Sequence, residues 1–491
     1  MIFFIVLLLF GTSPQTMYEG LDPTSISEHL AFYQLHQDKE IGKKALQDAW
    51  KLMAPEGQNI PFQFPATIDS FIQLIRPNDI NKKAPLELSA EALTTIESIA
   101  KTLPNRKLKG YQITTAKAID AIADVEIDLA HALLLLQTHS QDDQNKRRTF
   151  EAMLDVMALQ ILARTPMHAS PEEKIREINQ LIFHELGFRF PPHSNHEQAI
   201  DRYTFLSSVL ESRRGVCLGV AILYLALGER LNLPLDIYTP PGHIFIGSNG
   251  TNVETTMRGV HIHLDEYLTI NTKELKKRAL KEVLGMAYFN EAAPLLGAGK
   301  WKEASERYLK AVHYMPDDLL AQELYGATLL LSGQEKEGKK WLEKAASKQN
   351  EELISQDTLA EDIVRGKVSQ EALRAFFMTT DETRQSIEEK KKALSVALSN
   401  CPEFRGGLFQ LASLSFELSK PQEAIAYLEK LHAVDGNDIS CEYFLAALYH
   451  SRHHDVKALY HLECAKKIVA AAHCPTPKPL KELEVALLCA K

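Results

Sequence analysis

Six cysteines in 491 residues are too few to staple a fold of this size, which excludes a disulfide scaffold. Five of them (Cys401, Cys441, Cys464, Cys474, Cys489) lie in the last hundred residues, and Cys217 stands alone. An isolated thiol suits a reactive group better than a bridge, so no disulfide to Cys217 is expected. Basic clusters are also missing. Lys and Arg number 55 against 64 Asp and Glu, a net charge of −9. That lacks the electrostatic footprint of a nucleic-acid binder. There is no phosphate-cradling glycine loop, dinucleotide fingerprint or paired Cys-x-x-Cys, so neither cofactor nor metal is expected. Long apolar runs are absent. Ile2 to Phe10 is unbroken but too short for a membrane helix, which needs roughly 20 residues. Its length suits the core of a signal peptide, although the usual preceding Lys or Arg is missing. The expectation is an exported (periplasmic or extracytoplasmic) or membrane-anchored chain with membrane contact only through residues 1–15, and a cytoplasmic one if that segment is not a signal.

What is present is ordinary globular material, 45% hydrophobic and 24% charged, of a length for about three domains. Residues 16–140 read as a helical region. Ser25 or Ser27 caps a helix carrying Leu30, Phe32, Tyr33 and Leu35. Segments 89–103 and 112–138 show apolar residues at three-to-four spacing. Pro55, Pro61, Pro65, Pro77 and Pro85 punctuate the loops. Residues 146–188 predict two helices. Ser170 before Pro171-Glu172-Glu173 is a start signal, Ile175, Ile178, Leu181, Ile182 and Leu186 mark one face, and Gly187 ends it. His184-Glu185 lacks a second histidine four residues on, so no zinc-protease motif is formed. His193 and His196 belong to a polar loop.

Beyond about residue 280 helix pairs recur at a spacing of 34. Ala412 and Ala446, Ala424 and Ala458, and Leu428 and Leu462 occupy matching positions. Small residues let helices approach and larger ones fill the gap. An earlier pair carries Ala292, Ala304, Tyr308, Ala311 and a closing Pro316, and the next keeps Gly326, Leu342 and Ala345. These units resemble tetratricopeptide repeats over most of 282–349 and 388–470, with an irregular segment at 350–387. The resemblance implies a curved helical surface that binds a protein or peptide. His450-Ser451-Arg452-His453-His454 falls on a hydrated inter-helix turn, and Cys464 reads as a small buried residue beside Ala465.

The chemistry gathers at 213–256. Gly215 allows a sharp turn before Cys217. Leu218 to Leu231 is apolar nearly all round, the pattern of a buried helix. Cys217 would open that helix, where the macrodipole favours a thiolate and free N–H groups can hold an oxyanion. Strands are expected at 233–238 and 242–247, and Asn249-Gly250 is a strong hairpin-turn signal. With that turn, Phe245 faces Glu254 and His243 faces Thr256, so Glu254 is a diagonal neighbour of His243. The roles follow: Cys217 as nucleophile, His243 as its base, Glu254 as the acid that orients the imidazole. Asp236, Asn252 and Asp265 are the alternatives to Glu254.

Residues 172–270 resemble a bacterial transglutaminase-like domain of the papain-like thiol superfamily. The matching pieces are Glu185-Leu186-Gly187-Phe188, Arg214-Gly215-Val216-Cys217-Leu218-Gly219, Leu231 to Leu235, Pro241-Gly242-His243 and Asn252 to Thr256. The resemblance implies a cysteine-bearing helix packed on an antiparallel sheet that carries the histidine and the acid. Glu254 stands where the superfamily more often has Asp, and many relatives lack the cysteine. The fold class expected is mainly α with one α+β domain: a helical region at 16–140, a transglutaminase-like domain at 141–275, and repeats at 276–349 and 388–491 flanking irregular 350–387. The function expected is a cysteine-dependent amide hydrolase or acyltransferase whose repeats recruit a protein partner, with proteolysis or deamidation favoured over cross-linking. The alternative is a non-catalytic protein-binding scaffold on the same folds.

Overall fold

The computed structural model describes residues 13–53, 88–137, 141–166, 168–191, 203–381 and 383–489. Residues 1–12, His193, His196 and the prolines from Pro55 to Pro85 lie outside them. The chain is mainly helical with two short strand pairs and divides into two compact units. The first comprises residues up to 190 with 205–236 and 246–260; the second comprises 191–204, 237–245 and 261–491. No helix among the described residues is long and apolar enough to cross a membrane.

The first unit is built on the helix Cys217–Arg230, in which every residue except Cys217 and Glu229 is buried. Helices Leu129–Gln137, Gln141–Arg164 and Leu206–Ser212 pack around it, as an all-round apolar surface requires. One charge goes in with it. Arg230, fully buried, donates from Nε to Asp155 Oδ1 at 2.8 Å, and Arg106 meets the other oxygen of the same carboxylate. Ser25 and Ser89 cap their helices, and Ser170 forms a reciprocal capping box with Glu173. The helix Pro171–Asn179 runs on through a π turn, Gln180–Glu185, and stops at Gly187, whose φ is +71°. Arg164 grips Glu185 with two bonds of 2.5 and 2.9 Å.

Segment 112–138 departs from the helical expectation. Only Leu129–Gln137 is α-helical, preceded by 3₁₀ turns at Lys109–Gln112, Ala116–Ala121 and Asp124–Glu126. Ile113, Thr115 and Ile122 stand extended between the turns, the conformation that β-branched side chains favour. The apolar spacing still had content, because Ile119 and Ile127 are buried.

In the second unit β1 (Asp236–Thr239) pairs antiparallel with β4 (Lys276–Arg278) through residues 237–239. Arg278 then reaches Asp318 at 2.6 Å and Glu282 at 3.0 Å, tying the strand to the first helix pair. The repeats follow as pairs: Leu280–Gly297 with Trp301–Tyr314, Leu319–Leu331 with Glu335–Ala346, Arg405–Glu417 with Pro421–Val434, and Ile439–His450 with Asp455–Ala471. The matched positions Ala412, Ala446, Ala424, Ala458, Leu428 and Leu462 are all buried. Within 350–387 the helices shrink to Leu359–Val364 and Gln370–Phe377. Arg405 holds this segment, bonding to Asp362, Glu361 and Asp435. Cys464 is half-buried rather than buried, because Ala465 takes the interior position.

Glu323 supplies a test of these repeats. Its buried carboxylate accepts the Ala360 N–H at 3.0 Å. Burial, with the charge of Asp357 added, raises this carboxyl well above its ordinary range. The folded chain thus holds the proton more tightly than the unfolded one. Glu323 favours folding below the unfolded carboxyl value, about 4.3, and that support is lost as pH rises toward the folded value. Glu323→Gln keeps the acceptor without the charge. Its melting temperature should exceed the parent's at pH 7 and converge with it near pH 4. A difference that does not change with pH would rule this out.

Candidate functional site

Cys217 is the first residue of its helix. Val216 precedes it in an extended conformation and no side chain caps the helix, so the first-turn N–H groups are left for another acceptor. The approach is fixed by backbone contacts. Arg213 adopts a left-handed conformation, Arg189 N–H donates to Arg213 O at 3.1 Å, and Gly215 N–H donates to Arg189 O at 3.2 Å. Gly215 is required by packing: a Cβ there would lie 2.5 Å from Val220 Cγ2. Cys217 is half-buried at the end of a helix that is otherwise almost wholly buried. Cys217, Cys401, Cys441, Cys464 and Cys474 are all free thiols.

Glu254 follows the hairpin of β2 (Phe245–Ser248) and β3 (Thr251–Val253). Asn249 and Gly250 make its turn with φ of +48° and +83°, both positive as a type I′ turn demands. The pairs Ile246 with Val253, Gly247 with Asn252 and Ser248 with Thr251 give the register this turn implies. The expected pairing does not extend to Thr256. The strand ends at Val253, and Thr255–Met257 coils into a 3₁₀ turn capped by Glu254 itself. The buried Glu254 carboxylate accepts from Thr256 N–H at 3.0 Å and from Thr256 Oγ1 at 2.5 Å. Its backbone is held on both sides, donating to Val260 O at 3.0 Å and accepting from Gly259 N–H at 2.9 Å. Thr255 Oγ1 lies 3.5 Å from Cys217 O, which sets this turn beside the helix opening. A second link joins the same parts: Tyr224 donates to Asn179 Oδ1 at 3.1 Å, and Asn179 Nδ2 donates to Gly259 O at 3.2 Å.

His243 sits in the second unit, on a turn rather than in the strand expected at 242–247, which begins only at Phe245. His243 N–H donates to Pro240 O at 3.0 Å and Gly242 has φ of +72°. Pro then Gly at the central positions is the type II signature, and it consumes the residues that would have begun the strand. The His243 ring stacks on Tyr267, centroids 6.0 Å apart, and Tyr267 stacks on Phe245 at 3.9 Å. The candidate residues therefore divide between the units, Cys217 and Glu254 in the first and His243 in the second. Of the alternatives to Glu254, Asn252 is buried in the hairpin and Asp265 is exposed. Sequence reasoning missed Tyr267 as a contributor, because it belongs to no motif, and named Thr256 only as a strand partner of His243, not as the donor to Glu254.

Residues 148–291 match the model of a family described as the transglutaminase-like superfamily. Two curated relatives, both called UPF0162 protein, come from Xylella fastidiosa. The one from strain Temecula1 is 26% identical over 145 residues, 28% of this chain and 48% of the relative. The one from strain 9a5c is 31% identical over 74 residues, 15% of this chain and 25% of the relative. The chain thus spans about half of the first relative's length and a quarter of the second's. Among solved structures, the TPR2AB-domain:pHSP90 complex of yeast Sti1 is 19% identical over 42% of this chain and 85% of that one, at a TM-score of 0.22. A thermophilic TPR protein of Thermus thermophilus, TTC0263, is 16% identical over 42% and 98%, at a TM-score of 0.21.

Proposed function

We propose that the chain is a thiol-dependent amide hydrolase or acyltransferase, with Cys217 as nucleophile, His243 as general base and Glu254 as the orienting acid. Proteolysis or deamidation is preferred to cross-linking. The observation that carries the reading is the placement of Cys217: a half-exposed thiol at the uncapped start of a buried helix. Helix N–H groups at that point are placed to hold the oxyanion of a tetrahedral intermediate. A buried carboxylate that accepts bonds from its own turn, beside that helix opening, supports an orienting role. The repeats would recruit the protein partner or substrate, and an N-terminal export signal or anchor would place the chain outside the cytoplasm.

Labelling tests the reading. The reduced full chain is treated with iodoacetamide at neutral pH and mapped by mass spectrometry. Cys217 should react at least about tenfold faster than half-buried Cys474, because a nucleophile paired with a general base is activated, and His243→Ala should slow it. If Cys217 reacts no faster than Cys474 and ignores His243→Ala, the non-catalytic scaffold is the better account.

A further inference from the structure

The last two repeat pairs contain a side-chain cluster that the thiol site does not use. His432 comes from the last turn of Pro421–Val434, Glu442 from the first turn of Ile439–His450, and His461 from the middle of Asp455–Ala471. His432 Nδ1 bonds to Glu442 Oε1, and His461 Nδ1 lies 2.8 Å from Glu442 Oε2. One ligand atom from each residue falls within 4.8 Å of the other two.

We propose that His432, Glu442 and His461 form a binding site for a divalent transition metal of zinc type. Glu442 is fully buried, and among the described residues its ion-pair partners are the two imidazoles, with no Lys or Arg. A buried carboxylate needs a compensating positive charge. A metal ion supplies that charge and engages all three groups. Two imidazole nitrogens and a carboxylate oxygen are donors zinc takes in tetrahedral sites that keep one position open. Zinc–ligand distances of about 2.0–2.3 Å put neighbouring ligand atoms roughly 3.3 Å apart, so the present bonds need only open modestly to admit the ion. The cluster also has a rigid surround and a way in. Tyr449 lies parallel to the His461 ring at 5.8 Å, and Tyr460 sets its edge against both histidines, at 6.1 and 5.0 Å. The His432 side chain is 26% exposed, which gives an entry path. With three protein ligands from three helices, the ion would clamp the final repeats together.

The test uses the full chain, reduced and stripped with chelator, then titrated with Zn²⁺ by calorimetry and with Co²⁺ by absorption. One ion should bind per chain, raising the melting temperature. The Co²⁺ spectrum should show intense tetrahedral d–d bands. Glu442→Gln and His461→Ala should each weaken binding by about 100-fold or more, beyond the upper range for losing an outer-shell partner. Glu442→Gln is nearly isosteric and keeps one acceptor, so it serves if His461→Ala fails to fold by circular dichroism. The surface control His453→Asn with His454→Asn should bind as the parent does. Parent-like affinity in folded Glu442→Gln, or loss of binding in the surface control, would overturn the assignment. An octahedral Co²⁺ spectrum would overturn the tetrahedral site.

Discussion

Cys217→Ala should bring turnover of an activated ester and of a peptide-amide library down to the rate without enzyme. The covalent step runs through that sulfur, so its loss removes the acyl-enzyme route rather than slowing it. The variant should fold normally, because Cys217 sits at the half-exposed start of its helix and Ala is a better helix former. Glu254→Gln should act differently. It can keep the bond from Thr256 N–H while losing the charge that steadies an imidazolium, and the equivalent loss in serine proteases lowers kcat by up to about 10⁴-fold. The pair is measured as kcat and KM on the same ester. Retained turnover in Cys217→Ala would end the enzyme reading, whereas a fall in Glu254→Gln confined to KM would move Glu254 from orienting the base to shaping the site.

How far these residues could be read in the sequence depended on how local their physics is. The helix opened by Cys217 was legible because an apolar run and one glycine define it, and Gly215 is needed for contact with Val220. The hairpin register was legible because Asn249-Gly250 admits positive φ at two successive positions. The repeats were legible because small residues recur at a fixed interval. The ends of elements were not. Pro240-Pro241-Gly242 spends the expected strand start on a turn, and Glu254 ends its strand by capping the turn that follows. Each outcome is decided by one or two hydrogen bonds that compete with pairing. Least legible was the cluster around Glu442, whose histidines stand 10 residues before it and 19 after it. No spacing rule links three separate helices, and only packing brings their side chains together.

The buried pair at the C-terminal end of the Cys217 helix carries the largest expected effect on stability. Asp155 and Arg230 are both fully buried, and Arg106 shares the same carboxylate. Asp155→Ala would leave two guanidiniums facing a dry interior. Removing one partner of a buried pair costs about 3–5 kcal/mol, a large share of the roughly 5–15 kcal/mol that holds a domain folded. The double change Asp155→Leu with Arg230→Met removes the main pair and fills the space with apolar atoms. It should recover much of the loss, since well-packed apolar replacements of buried ion pairs are often neutral, although Arg106 then still lacks its acceptor. The chain has two units and need not unfold in one step, so the readout must report on the first. Trp50 is buried there, and the other two tryptophans, Trp301 and Trp341, belong to the second. In a Trp301→Phe, Trp341→Phe background, urea unfolding followed by Trp50 fluorescence should show a lower midpoint for Asp155→Ala and a partial return in the double variant. A midpoint unmoved by Asp155→Ala would mean that water reaches the pair, and its place at the helix end would then add nothing to the stability of the site.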